Sequence, residues 1–457
     1  MLIDRELNNF LERWKKSPSR LPLILRGARQ VGKTTLVKEF GKNYTNFLYF
    51  NLEIYQDKQL FSNVNKGLKN LLELLFLSRE IIYNKESETL IFIDEVQEIP
   101  EVIEQLRYFY EEFPQIHVIV TGSLLEFALN RITKVPIGRV EFVTLYPLSF
   151  KEFLKANNKE ILLDAIEKVP FNANFSDLAK TQFHLYTMIG GMPMIVKQYV
   201  QDQNFFRTSE LYNAIIESYK ADVIKYAKST KEAMIIKSIV DILPYQIDNR
   251  INMSNIGGLP YKALEIKESL QKLEFAGWIH VNYPTIQSQM PIIPDLKKRP
   301  RLHFLDIGLL NYQLGIHNEY LKVENLHQLS KGKLIQQVVN QELITLDYLN
   351  TKKHTFWVRE EKGTTSEVDI VYPFKQFLVP IEIKSGASGT LRSLHEFMDR
   401  CEHNFAVRIY SGPLALDHLT TRKGKKYSLL NLPYFLTAEI DRYLTWLDTT
   451  DEYIGNK

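Results

Sequence analysis

The chain has 457 residues, 45% of them hydrophobic and 24% charged, with a formal net charge of +3. That balance fits an ordinary soluble globular protein of about three domains, and so small a charge does not by itself imply a nucleic-acid partner. One cysteine, Cys401, excludes an intrachain disulfide and a cysteine-rich zinc site and suits a reducing cytoplasm. Met1–Phe10 has no basic-then-apolar signal pattern, and no run of about 18 apolar residues would cross a bilayer.

In chain order, Asp4–Lys16 reads as a short amphipathic helix. The apolar run Leu21–Leu25 then breaks into Gly27-x-x-x-x-Gly32-Lys33-Thr34 and continues as the start of a helix. A strand, a glycine-bounded loop and a helix N-terminus are what a phosphate chain needs. Gly27 and Gly32 permit the close backbone approach, Lys33 meets the terminal phosphates, and Thr34 offers a hydroxyl to Mg²⁺. Asn46–Leu52 is a second strand and Lys66–Ser78 is helical in spacing. Thr89–Asp94 (TLIFID) is a buried strand running into the acid pair Asp94-Glu95, a Walker B pattern. Asp94 is expected to hold Mg²⁺ and Glu95 to orient or deprotonate the attacking water. Glu101–Phe113 is a helix. His117–Thr121 is a strand ending in Thr121-Gly122-Ser123, where Ser123 either senses the γ-phosphate or caps a helix. Arg139, just before the strand Val140–Leu145, is either a charge-neutralising finger or a solvated surface residue.

Gly27-Ala28-Arg29-Gln30-Val31-Gly32-Lys33-Thr34-Thr35, Ile93-Asp94-Glu95-Val96-Gln97, Thr121-Gly122-Ser123, Gly138-Arg139, the segment Leu145–Phe153 and Gly190-Gly191-Met192-Pro193 occur in this order. Together they resemble the prokaryotic AAA-type ATPases that carry a C-terminal domain of unknown function. The resemblance implies a P-loop domain with a central parallel sheet and an extra strand between the Walker A and Walker B strands. It implies ATP bound by Gly27, Gly32, Lys33, Thr34 and Thr35, with Ser123 as sensor and Arg139 as finger or nucleotide-sensing residue. A finger acting in trans would require a self-oligomer.

Phe205–Pro284 reads as mostly helical, with Glu232–Leu243 and Tyr261–Gly277 as long helices and Trp278–Tyr283 as a strand. Helices followed by a hairpin describe a winged helix, and the related family is read the same way here. Such a module contacts DNA or docks protein, with Tyr261, Lys262, Lys267 and Lys272 expected to face outward. Arg301–Leu310 matches the family's strand-Asp-x-Gly-Leu-Leu segment and is taken to open the third domain. Lys333–Leu346 is a helix, and Thr355–Arg359, Ser366–Tyr372 and Phe377–Lys384 are strands. These strands carry Asp369-x12-Glu382-x-Lys384, with Glu382 and Lys384 on one face and a turn expected at Ser385-Gly386. Two carboxylates and a lysine at neighbouring strand ends can hold Mg²⁺ and stabilise phosphate charge, and the pattern is similar to the PD-(D/E)XK nuclease core. Where related proteins place a glutamate on the preceding helix, this chain has Gln336, a poorer Mg²⁺ ligand, with Glu342 about two turns further on.

The sequence thus predicts an α/β chain in three parts: an AAA-type ATPase domain over 1–204, a helical, winged-helix-like domain over 205–299, and an α/β, nuclease-like domain over 300–457. The expected function is Mg²⁺-dependent ATP hydrolysis, with DNA or a protein partner at the output end. The alternatives are a slow nucleotide-dependent switch with a degenerate nuclease-like domain, and an ATP-driven DNA nuclease.

Overall fold

The computed structural model describes residues 2–62, 67–82, 84, 87–132, 136–316, 332–361, 364–384 and 391–454. Its N-terminal part is built on five parallel strands: β1 (Leu23–Arg26), β2 (Asn46–Asn51), β3 (Thr89–Asp94), β4 (Ile116–Thr121) and β5 (Glu141–Thr144). Their order across the sheet is β2-β3-β4-β1-β5, so β4 lies between the strand that feeds the glycine loop and the strand that ends in Asp94. All six residues of β3 and of β4 are buried. That is why both read as continuous apolar runs rather than as alternating strands: a parallel sheet is covered on both faces. One face packs on the helices Leu7–Lys16 and Lys33–Gly41, through Leu11, Trp14, Leu36 and Phe40. The other packs on the helices Leu68–Ser78 and Glu101–Glu112, through Leu71, Leu75, Leu106 and Phe109.

The middle of the chain is helical, with long helices at Ser209–Lys225, Thr230–Ile242 and Ala263–Phe275. The last is followed by β6 (Ile279–Asn282), which pairs antiparallel with β7 (Arg301–Phe304). The division expected between 299 and 300 therefore falls inside this hairpin, and the ladder ties Arg301–Phe304 to the segment before it. Lys272 does not face outward. It bonds Glu232 at 2.7 Å and the Tyr226 carbonyl at 2.7 Å, because Glu232 lies on the helix packed alongside.

The C-terminal part holds a six-stranded mixed sheet of β8 (Thr355–Glu361), β9 (Thr364–Phe374), β10 (Phe377–Lys384), β11 (Phe405–Tyr410), β12 (Ala415–Thr420) and β13 (Lys426–Pro433), in the order β12-β13-β11-β10-β9-β8. The helix Lys333–Thr345 is buried along almost its whole length. One continuous apolar core runs from Leu7 through this helix to Leu447, so the parts are packed together rather than strung on linkers.

Candidate functional site

β1 delivers the glycine loop to the C-terminal end of the parallel sheet. Gly27 sits at φ 140° and Gly32 at φ 100°. A Cβ on Gly27 would lie 2.3 Å from the Leu145 carbonyl oxygen, so both the backbone angle and the space require glycine there. Lys33 opens the helix Lys33–Gly41 and turns back into the loop, donating to the carbonyls of Gly27 at 2.8 Å and Ala28 at 2.9 Å. Burial lowers its ammonium to a pKa of about 8, against the opposing pull of Glu95 and Asp94. Thr34 Oγ1 donates to Asp94 Oδ2 at 2.7 Å. The Thr121 hydroxyl donates to the other carboxylate oxygen, and the Glu95 N–H donates to that same oxygen at 3.0 Å. Asp94 is thus fixed at the tip of β3, facing the loop's hydroxyl. Thr35 lies one residue on and is exposed.

Glu95 adopts left-handed backbone angles, φ 54° and ψ 45°, which turn its side chain away from the β3 direction. Its Oε2 accepts from Gln97 Nε2 at 2.6 Å and from Ser123 Oγ at 3.2 Å. Ser123 therefore meets the acid pair rather than capping a helix; the next helix, Leu125–Leu129, has Leu124 at its cap and no side-chain cap bond. Arg139 is not part of this cluster within the chain. It precedes β5, whose first residue pairs with Leu23 at the start of β1, and therefore sits at the opposite end of the sheet. There it bonds Glu111 at 3.1 Å and is half-exposed.

Three parts of the chain close on the glycine loop. Arg5, buried, donates from Nη1 to the Val31 carbonyl at 2.8 Å and from Nη2 to the Tyr146 carbonyl at 2.6 Å, and is held by Glu152 at 2.9 Å. From the helix Ser209–Lys225, Asp222 pairs with Arg29, and the Tyr219 hydroxyl donates to the Arg29 carbonyl at 2.6 Å. Gly277 packs so tightly on Ala28 that a Cβ there would lie 3.0 Å from the alanine Cβ. Beside the loop opens a cavity of about 410 Å³, bordered by Gly27, Ala28, Ser123 and Glu126, by Gly277 from the middle of the chain and by Gln341 from the helix Lys333–Thr345. Arg5 and Asp222 carried no local signal in the sequence, because each meets the loop only through tertiary packing.

The second cluster lies in the C-terminal sheet. Ile370 on β9 faces Ile381 on β10, and Asp369 and Glu382 follow one step beyond. Asp369 Oδ2 accepts the Ile383 N–H at 2.9 Å, and Gln336 Nε2 approaches Asp369 Oδ1 at 3.4 Å. Lys384 Nζ bonds Glu382 Oε1 at 2.5 Å. Asp369, Glu382, Lys384 and Gln336 are therefore brought together; the turn at Ser385-Gly386 lies outside the described residues. Burial and the neighbouring Asp369 push Glu382 up to about 7. Glu342 does not join them. Both its oxygens accept from the Phe150 N–H, at 3.1 and 3.2 Å, and its Oε1 lies 2.7 Å from the Tyr186 hydroxyl. It serves the N-terminus of the helix Phe150–Ala156, where a buried carboxyl finds unpaired N–H groups.

Comparison with known proteins divides the chain in the same order. Residues 19–154 match the model of an AAA domain, residues 180–320 that of a domain of unknown function (DUF8612), and residues 331–427 that of a second domain of unknown function (DUF4143). An uncharacterized protein of Haemophilus influenzae is 22% identical over 308 residues, covering 64% of this chain and 69% of that protein. The uncharacterized protein MJ1544 of Methanocaldococcus jannaschii is 26% identical over 250 residues, covering 54% of this chain and 51% of that protein. Among solved structures, the Walker-type ATPase PABY2304 of Pyrococcus abyssi aligns at TM-score 0.43 and 18% identity over 68% of this chain and 96% of its own. A signal transduction ATPase with a tetratricopeptide repeat sensor, PH0952 of Pyrococcus horikoshii, aligns at TM-score 0.27 and 13% identity over 76% and 46%. The AAA-domain match and the β2-β3-β4-β1-β5 sheet with its glycine loop support a P-loop ATPase fold for the N-terminal part. No described helix is long and apolar enough to cross a membrane.

Proposed function

We propose that this chain hydrolyses ATP in a Mg²⁺-dependent reaction at Lys33, Thr34, Asp94, Glu95 and Ser123, and that the state of that site is passed to the helical middle and the C-terminal sheet. The observation that carries the reading is the Thr34–Asp94 hydrogen bond of 2.7 Å, because it sets side by side the two oxygens a P-loop enzyme uses for its cation. Those oxygen donors suit Mg²⁺, a hard ion; Thr34 and Asp94 would hold it, and when bound it neutralises charge on the β- and γ-phosphates. Loop N–H groups and the helix N-terminus bind the phosphate chain. Lys33 exchanges its two carbonyl partners for phosphate oxygens, which restores its full charge. Glu95 orients the attacking water and accepts its proton, and Ser123 and Gln97 hold that carboxylate ready.

The passage of state rests on Arg29–Asp222, Tyr219 and Gly277, which join the glycine loop to the middle helices. Phe127, behind Ser123, stacks on Tyr226 at 4.1 Å and extends the joint to the helix that follows β4. The output partner on this reading is protein or DNA. Exposed Lys262 and Lys267 suit DNA on a winged-helix-like surface, while Glu265 and Glu268 beside them suit protein.

The test is Glu95→Gln. It should keep ATP binding and slow steady-state turnover by about a hundredfold or more, the scale of a lost general base. Turnover at the wild-type rate would remove Glu95 from the chemistry. A second reading, an ATP-driven DNA nuclease, draws on the meeting of Asp369, Glu382 and Lys384 at one end of a mixed sheet. DNA cleavage with Mg²⁺ that is lost in Lys384→Ala would favour it.

A further inference from the structure

The C-terminal carboxylates meet a cation that is already in place. Arg301, on β7, carries a side chain 9% exposed. Its guanidinium lies over the ring of the fully buried Phe356, 4.8 Å from the centroid. Nη2 pairs with Glu367 Oε1, and Nη1 lies 3.4 Å from Asp248 Oδ1 and 3.7 Å from Asp369 Oδ1. Asp248 comes from the loop after the helix Thr230–Ile242, and Glu367 and Asp369 from successive outward turns of β9. Two stretches far apart in sequence therefore aim three acids at one planar cation.

We propose that Arg301 is a built-in counter-ion standing where a divalent cation would sit among Asp248, Glu367 and Asp369, so that the C-terminal sheet carries no metal-dependent cleavage. This goes beyond the ATPase reading and decides against the nuclease one. Part of the neighbouring carboxylate capacity is taken up as well: the Ile383 N–H holds Asp369 Oδ2, Gln336 approaches its other oxygen, and Lys384 holds Glu382 Oε1, which leaves Glu382 Oε2 and Asp248 Oδ1 buried without a hydrogen-bond partner. Mg²⁺ needs near-octahedral oxygens at about 2.0–2.1 Å, and a guanidinium wedged between the same oxygens blocks that approach by volume and by repulsion. With Arg301 between them, the three acids are held apart, and among the described residues no group of three His, Cys, Asp or Glu side chains is placed to hold a metal ion. Arg is suited to the place because its charge does not titrate, its fork reaches two acids at once and its face stacks on a ring.

The test measures Mn²⁺ binding to the full chain by loss of the free-ion paramagnetic resonance signal, without nucleotide. Wild type and Asp369→Asn should bind Mn²⁺ alike. Arg301→Met, of similar length and no charge, should gain one equivalent bound about tenfold more tightly than any in wild type, and should lose it again when combined with Asp369→Asn. Arg301→Lys, which keeps a cation, should behave as wild type. A wild-type equivalent that Asp369→Asn removes would overturn the proposal, as would a folded Arg301→Met with none added. Should Arg301→Met fail to fold, the comparison of wild type with Asp369→Asn still decides. ATP binding by the same samples reads the glycine loop separately, so failure there would count against the ATPase reading and leave this one standing.

Discussion

Glu342→Gln tests how the C-terminal helix is fastened to the ATPase part. Glu342 is 1% exposed, and burial pushes its carboxyl up to about 8 from an ordinary 4.5. The hydrogen bonds fit a neutral acid. The Tyr186 hydroxyl lies 2.7 Å from Glu342 and 2.9 Å from the Leu148 carbonyl, and Gln341 Nε2 donates to it at 3.0 Å. A protonated Glu342 gives its proton to the Tyr186 oxygen, which frees the tyrosine proton for Leu148; an ionised Glu342 would compete for that one proton. The folded chain therefore binds more protons than the unfolded chain between pH 4.5 and 8, so stability is fullest at the acid end and falls as pH rises through that window. At about 1.4 kcal/mol per unit, the contribution of this group across the window is roughly 3–5 kcal/mol. Glutamine copies the neutral acid, its amide donating to Tyr186 and its oxygen accepting from Phe150, but it does not titrate. In urea unfolding at pH 5, 6.5 and 8, Glu342→Gln should lie within about 1 kcal/mol of wild type at pH 5 and gain on it steadily as pH rises. A constant offset at all three values would refute the reasoning, since it would mean that Glu342 titrates alike in the folded and unfolded chain.

Two further outcomes follow from the glycine loop. With Lys33 lowered to about 8 in the free protein and restored to full charge beside phosphates, ATP binding above pH 8 should take up close to one proton; calorimetry at pH 9 in two buffers of different ionisation enthalpy measures it, and a buffer-independent heat would contradict it. Asp222→Ala should release Arg29 toward the phosphates and remove a negative charge from their surroundings, tightening ATP binding roughly three- to tenfold, on the scale of a partly exposed ion pair; an unchanged or weakened Kd in the folded variant would separate Arg29–Asp222 from nucleotide binding.

The glycine loop and the Asp94 strand were legible because their signals are local. Gly27 and Gly32 bracket a fixed spacing after an apolar run, and a six-residue buried strand announces the acid at its end. Three strands of the C-terminal sheet, β8, β9 and β10, were legible for the same reason, down to the bounds of Phe377–Lys384, whereas β11, β12 and β13 were not read from the sequence. What escaped was set by tertiary approach. Arg139 reads as either a finger or a surface residue; within the chain it lies outside the glycine-loop cluster, paired with Glu111 at the sheet's far end. Lys272 alternates outward by helical period, but Glu232, 40 residues earlier, draws it in. Glu342 read only as an acid about two turns beyond Gln336; its partner, the Phe150 N–H 3.1 Å away, comes from a helix 192 residues earlier. Arg301 read only as the first residue of a strand; its partners Asp248 and Glu367 lie 53 and 66 positions away, and no local pattern marks a residue as the centre of such a group.

Steady-state ATP hydrolysis by wild type and Lys33→Ala, with Mg²⁺ and at equal concentrations of folded protein, tests the ATPase reading most directly. The substitution removes the buried ammonium that the ATPase reading turns toward the phosphates and leaves the parallel sheet untouched, so wild type should turn ATP over while the variant falls to background with its thermal unfolding little changed. Equal turnover in the two, or none in wild type, would contradict it.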